Sequence, residues 1–244
     1  MRFFCFSGFC YRVFFLLVMS VFSAAISVKA QSLPSVDFIL GKVWANMEMQ
    51  PFELDGVIRH ANMLHPLKLK TGSREMIYLF GREEPQVKVS FFSDAPEIYT
   101  RKDDEAKWTR LPVVAWDRPI LGSDITYRDL ALDFLTWPEV RLVGRANAKT
   151  LPAFVLETVN PAGSDSPISK VRYWVSSEHF VLVQAEAYNS HGEVIRRFDV
   201  NGVQRFGDFW TIKELRIAEM IPKRNISRSR TFIEINSGKP IVAK

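Results

Sequence analysis

The side chains able to do chemistry are few, and their spacing suits little of it. His60, His65, His179 and His191 are scattered along the chain. His60 and His65 stand five apart just ahead of Pro66, which matches neither the i, i+4 helical pair of a zinc site nor two positions on one strand face. They read as surface or turn histidines. Asp103-Asp104-Glu105 offers carboxylate oxygens but lacks the alternating spacing and the shaping glycine of a calcium loop, so it reads as a hairpin tip between Arg101 and Lys107. Asp124 and Asp129 invite reading as a metal or acid pair, yet helix capping explains both more simply. No Gly-x-Ser-x-Gly elbow, Walker loop or dinucleotide fingerprint occurs. A Ser-His-Asp triad or carboxylate dyad is built in space, and the sequence neither displays nor excludes one. No catalytic residue, metal ligand or cofactor is therefore expected.

More is carried by the segment Leu121-Gly122-Ser123-Asp124-Ile125-Thr126-Tyr127-Arg128-Asp129-Leu130, which follows an apolar run from Trp108 to Trp116. Thr126 and Asp129 form a capping pair at a helix start. Tyr127, Leu130, Ala131 and Phe134 then recur at i, i+3, i+4 and i+7, one apolar helical face. Trp137-Pro138 ends that helix, since the residue before proline is pushed out of helical geometry. Trp108, Trp116 and Trp137 flank the segment, where a lid over an apolar cavity would need broad contact surface.

Around this segment the elements alternate simply. Ser35 caps a helix in which Val36, Ile39, Leu40, Val43 and Met47 share a face with Trp44 beside it. Gly41 weakens that helix by about 1 kcal/mol relative to Ala, so packing must hold it. Beyond Pro51 come short β-type segments at 52–60, 75–80, 86–92, 97–101 and 107–111. After the central helix, Phe154, Leu156 and Thr158 share a side, as do Val171, Tyr173 and Val175, and Phe209, Thr211, Lys213, Leu215 and Ile217. The turn signals are Asn160–Asp165, Ser190-His191-Gly192 and Asn201-Gly202, the last a two-residue hairpin signal. Connections this short make neighbours antiparallel. About a dozen such strands, with helices only at the start and middle, predict an α+β fold built on a curved antiparallel sheet or incomplete barrel. With no linker, low-complexity tract or repeat, residues 31–244 read as one domain. Several strands, such as Arg172-Tyr173-Trp174-Val175, are apolar on both sides, which implies either protein cover on both faces or an internal cavity.

Residues 1–30 read as an export signal: Arg2 and Arg12, an apolar run from Val13 to Val28, then small residues before cleavage after Ala30. An uncleaved anchor is the rival, but Ser20, Ser23 and Ser27 interrupt the run. Both cysteines, Cys5 and Cys10, lie in this leader, so the mature chain has no disulfide or thiolate chemistry. The leader holds Arg2, Arg12 and Lys29 and no acid. Of the 32 basic residues 29 remain against 27 acids, an excess of two and not a nucleic-acid-binding profile. One local excess, Lys223, Arg224, Arg228 and Arg230, reads either as a solvated loop or as an anchor for anionic headgroups or a partner surface.

The Gly-Ser-Asp-x-x-Tyr-x-Asp-Leu segment, set between a sheet-like first half and an unbroken strand series, resembles the LolA-like outer-membrane lipoprotein-sorting family, most strongly from Trp108 to about Ile235. The resemblance implies an unclosed half-barrel with helices covering its concave side. It also implies a periplasmic carrier whose apolar cavity takes acyl chains of a lipid or lipoprotein toward the outer membrane. On it, the 35–47 and 126–134 helices are lid elements, and the candidate lining is Val43, Trp44, Met47, Trp108, Trp116, Tyr127, Leu130, Phe134 and Trp137. The partners expected are an acylated lipoprotein or lipid and an inner-membrane exporter, with the carrier itself a monomer. The alternative is a non-enzymatic periplasmic accessory module of an envelope export system, its concavity filled by its own side chains. An uncharacterised hydrolase is the third and most distant class.

Overall fold

The alternation of apolar and polar residues after Pro51 is realised as a single antiparallel sheet in the computed structural model, which describes residues 33–47, 51–81, 84–92, 95–161, 166–207 and 209–241. The proposed leader and its cleavage site after Ala30 lie outside the described residues. The first half supplies β1 (Phe52–His60), β2 (Met63–Thr71), β3 (Glu75–Leu79), β4 (Gln86–Ser90), β5 (Glu97–Arg101) and β6 (Thr109–Arg110). The second supplies β7 (Arg141–Ala148), β8 (Leu151–Val159), β9 (Lys170–Ser176), β10 (Leu182–Tyr188), β11 (Val194–Phe206), β12 (Phe209–Ile221) and β13 (Ile226–Pro240). Each half is a meander, and β1 pairs with β13 to join them in the order β6-β5-β4-β3-β2-β1-β13-β12-β11-β10-β9-β8-β7. The strands β6 and β7 stand at opposite edges, so the thirteen-stranded sheet is an unclosed, curved half-barrel. Bulges at Asp55/Gly56, Leu142/Gly144 and Glu219/Met220 add to the twist that curls a sheet of this width.

Helix α1 (Val36–Met47) begins as its sequence requires, with Ser35 Oγ accepting the Phe38 N–H at 3.2 Å. Ile39 and Val43 point into the core. Between β6 and β7 runs the central segment, with a 3-10 turn (Val113–Ala115), helix α2 (Tyr127–Ala131) and a second 3-10 turn (Asp133–Thr136). One apolar core fills the space between the concave face of the sheet, α1 and this segment.

Two local expectations are corrected, and one strand unmarked by the sequence is added. The helix expected through Phe134 stops at Ala131, because Leu132 turns left-handed (φ 47°) and its N–H closes back on Arg128. The second turn then keeps Phe134 on the buried side. Asn201-Gly202 does not make a hairpin turn; it forms a double bulge within β11, where Asn201 donates to Glu214 and receives Lys149, and the chain reverses after Phe206. Strand β2 was unmarked by the sequence because Pro66 argues against a central strand. Pro66 is accommodated since the β2–β3 ladder covers only Lys68–Thr71, leaving Pro66 paired with β1 alone.

Candidate functional site

The strand alternation decides which side chains the concave face presents. Phe154 and Leu156 on β8, Tyr173 and Val175 on β9, and Phe198 and Ile217 on β11 and β12 all turn inward and are buried. The two covering elements meet this face from opposite ends of the sheet and are attached in different ways.

The central segment closes the end at the β12–β13 turn with polar bonds. The Asp124 carboxylate accepts from the hydroxyls of Ser229 and, at 2.9 Å, Thr231 on β13. His60 on β1 completes the cluster, its Nδ1 2.8 Å from Thr231 Oγ1 and 3.5 Å from Asp124 Oδ2. Thr126 and Asp129 form the expected capping box, and Arg196 of β11 reaches both Asp129 and the Asp124 carbonyl. Arg128, 6% exposed, is gripped by Asp117 at 2.8 Å and Asp133 at 2.5 Å. Burial pushes the Asp133 carboxyl above its usual range even with Arg128 beside it. Asp124 is thus not a cap but a tether to the sheet. His60 is likewise not a surface or turn histidine; its strand position turns it inward.

Helix α1 covers the other end, over the β4–β5 and β9–β10 turns, by apolar contact. Phe38 meets Phe180 edge-on at 5.7 Å, and Trp44 leans on Phe91 at 6.1 Å. Asn46 Nδ2 donates to the carbonyls of His179, at 2.8 Å, and Phe180, at 3.1 Å. No ion pair ties α1 to the sheet among the described residues.

Of the residues singled out from sequence, Val43, Trp116, Tyr127, Leu130, Phe134 and Trp137 join in this one core, and Trp44 borders it. The Met47 side chain lies outside the described residues. Trp108 is elsewhere: it sits on the opposite, convex face, sandwiched by Lys88 at 5.1 Å and Arg101 at 4.5 Å. The interior residue missed from sequence is Tyr173, fully buried against the Phe134 ring at 5.4 Å, with no hydrogen-bond partner for its hydroxyl among the described residues. Its place in the alternation was visible; the orphaned hydroxyl was not. A cavity of about 270 Å³ lies beside α2, its walls mixing charged residues (Arg128, Asp129, Arg196, Glu219, Arg228) with apolar ones (Ile168, Ile195, Met220). Among the described residues no three His, Cys, Asp or Glu side chains gather as metal ligands would.

This is the LolA-like architecture. A domain from Vibrio parahaemolyticus named for outer membrane lipoprotein sorting superposes with a TM-score of 0.66 at 15% identity, over 83% of this chain and 91% of its own. A LolA superfamily protein from Nitrosomonas europaea gives 0.61 at 15% identity, over 87% and 96%. A DUF1329 family protein from Desulfovibrio piger gives 0.59 at 13%, over 87% and 95%. No curated protein matches the sequence. Within this fold, the model of a family described as uncharacterized protein-like matches residues 104–239, and the chain belongs to that family.

Proposed function

We propose that this protein is an exported envelope carrier that encloses acyl chains of a lipid or lipoprotein between its concave sheet and α1, without any covalent step. The observation that carries the reading is the unequal attachment of the two covers. The central segment is pinned by buried charged and hydroxyl bonds, so it serves as a fixed floor. The cover formed by α1 rests on the buried Ile39 and Val43, two aromatic contacts and one asparagine, so lifting it costs chiefly apolar contact, which an acyl chain replaces in kind. An acyl chain crosses water only if burial returns ~0.8 kcal/mol per CH₂, and an interior freed by α1 supplies that. The periplasm is the compartment this reading requires, with the leader removed after Ala30 and an inner-membrane exporter as the source of cargo.

The test is reversible locking of the lid. In a mature chain without cysteine, Phe38→Cys/Phe180→Cys joined by a short, reducible bis-thiol crosslinker should lose uptake of a fluorescent fatty acid and regain it on reduction. Uptake that is absent in every state defeats the carrier reading and favours an accessory module. The observation behind that second reading is that the interior is filled by its own side chains, Ile39, Phe134 and Tyr173 among them.

A further inference from the structure

The convex face at the β12–β13 end carries a charge pattern that neither the fold nor the carrier reading explains. Opposite residues in an antiparallel ladder share a face. The pairings Arg141↔Glu157, Glu157↔Arg172, Arg172↔Glu186 and Glu186↔Arg197 therefore run one row across β7 to β11. The row continues through Ala218 of β12 to Arg230 of β13. Six inter-strand steps make it roughly 29 Å long.

Signs alternate along the row, but depth does not. The acids are sunk: the Glu157 side chain is 1% exposed and Glu186 13%. The bases stand over them, Arg141 at 72% and Arg172 at 36%, with Lys170 adding a third cation beside Glu157. Solvent therefore meets guanidinium groups. At the end of the row the β12–β13 turn adds Lys223 and Arg224, while Arg228 of β13 turns to Glu219 and the cleft beside α2; between Glu219 and Glu234 the chain has no acid. Arg228 pairs with Glu219 and Lys223 approaches Glu193, whereas Arg224 and Arg230 form no ion pair among the described residues. Arg230 gives its Nε–H to the Ser227 hydroxyl. Among these cations Ile226 is 53% exposed.

We propose that this end of the sheet docks on an anionic phospholipid surface, with the arginines on headgroup phosphates and Ile226 entering the interface. Guanidinium forks match phosphate oxygens, a row of this length spans several headgroups, and an exposed isoleucine set among cations is the arrangement of an interfacial anchor. The inference stands on charge distribution and does not depend on what the interior carries.

Co-sedimentation of the soluble purified protein with phosphatidylcholine vesicles, with and without roughly 30 mol% phosphatidylglycerol, tests it. Binding should need the anionic lipid and fade as salt rises from about 0.05 to 0.5 M. Arg224→Glu/Arg230→Glu should weaken it roughly tenfold or more, and Ile226→Ser by a few-fold, with the thermal midpoint unchanged in both. Equal binding to pure phosphatidylcholine overturns the proposal, as does undiminished binding by the charge-reversed variant. Binding to soluble polyglutamate but to neither vesicle also overturns it and assigns the patch to an acidic protein.

Discussion

Asp124 and Thr231 lie 107 residues apart, yet the Thr231 hydroxyl donates to the Asp124 carboxylate at 2.9 Å while Asp124 N–H donates back to the same oxygen at 3.0 Å. This reciprocal pair fastens the central segment to β13, the strand through which the two halves of the sheet are joined. Asp124→Ala leaves the buried Thr231 hydroxyl and the partly buried Ser229 hydroxyl without their acceptor. The expected loss is about 1–3 kcal/mol, read as a lower denaturant midpoint with an unchanged slope. Thr126→Ala removes only the cap and should cost about 0.5–2 kcal/mol.

The contrast between those two residues shows what sequence made legible. The Thr126–Asp129 box is a four-residue pattern, and the bounds of β1 and β5 follow from local alternation and turns. The roles of Asp124 and His60 depend on β13, far along the chain, and no local spacing encodes such a partner. Trp108 misled for a related reason: aromatic character gives burial tendency but not face, and the Lys88 and Arg101 that hold it outside come from other strands.

Gly56 sits at the β1–β13 bulge, where a Cβ would stand 2.2 Å from the Glu234 carbonyl oxygen. Backbone on the central strand of the closure has no room to yield. Gly56→Ala should cost more than about 3 kcal/mol, or abolish soluble expression, whereas Gly41→Ala, with open space around it, should be neutral or stabilising by up to about 1 kcal/mol. Thermal denaturation of the two variants side by side checks the difference.

Acid stability should report on Glu157. Burial alone would raise its carboxyl, but hydrogen bonds from Arg141, Arg172 and Lys170 outweigh that and hold it at about 2, below the ordinary 4.5. A carboxylate lowered by folding contributes stability that is complete above its unfolded value. That contribution declines as pH falls from about 4.5 toward 2. It is on the order of 3 kcal/mol at neutral pH. Glu157→Gln should be destabilised at pH 7 and should flatten the decline of unfolding free energy between pH 4.5 and 2. Parallel curves for both proteins would show that the cluster is not the source.

Tyr173 separates a packed interior from one that receives a ligand. Its hydroxyl is buried without a partner among the described residues, a state that costs free energy unless a polar group meets it. In the protein free of cargo, Tyr173→Phe should be neutral or more stable by up to about 1–2 kcal/mol. If a cargo ester or amide reaches this hydroxyl, the same variant should bind an ester-bearing acyl probe several-fold more weakly while binding a plain alkyl probe unchanged. Equal loss for both probes would assign Tyr173 to packing alone.

The lid and floor can be told apart by where a charge does harm. Val43 lies on the face of α1 turned into the core, and Leu130 lies on the pinned central segment. Val43→Asp should release α1 from the sheet with modest loss of stability, because the helix is held by few bonds, and should raise the rate of acyl-probe exchange. Leu130→Asp buries an unpaired charge where the Asp124, Arg128 and Asp129 network leaves no freedom to move aside, so it should unfold the domain or cost about 3 kcal/mol or more. Hydrogen exchange at residues 36–47 and 127–131, with denaturant melts on both variants, checks the assignment. Protection at 36–47 equal to that at 127–131 in the unaltered protein would remove the distinction between lid and floor.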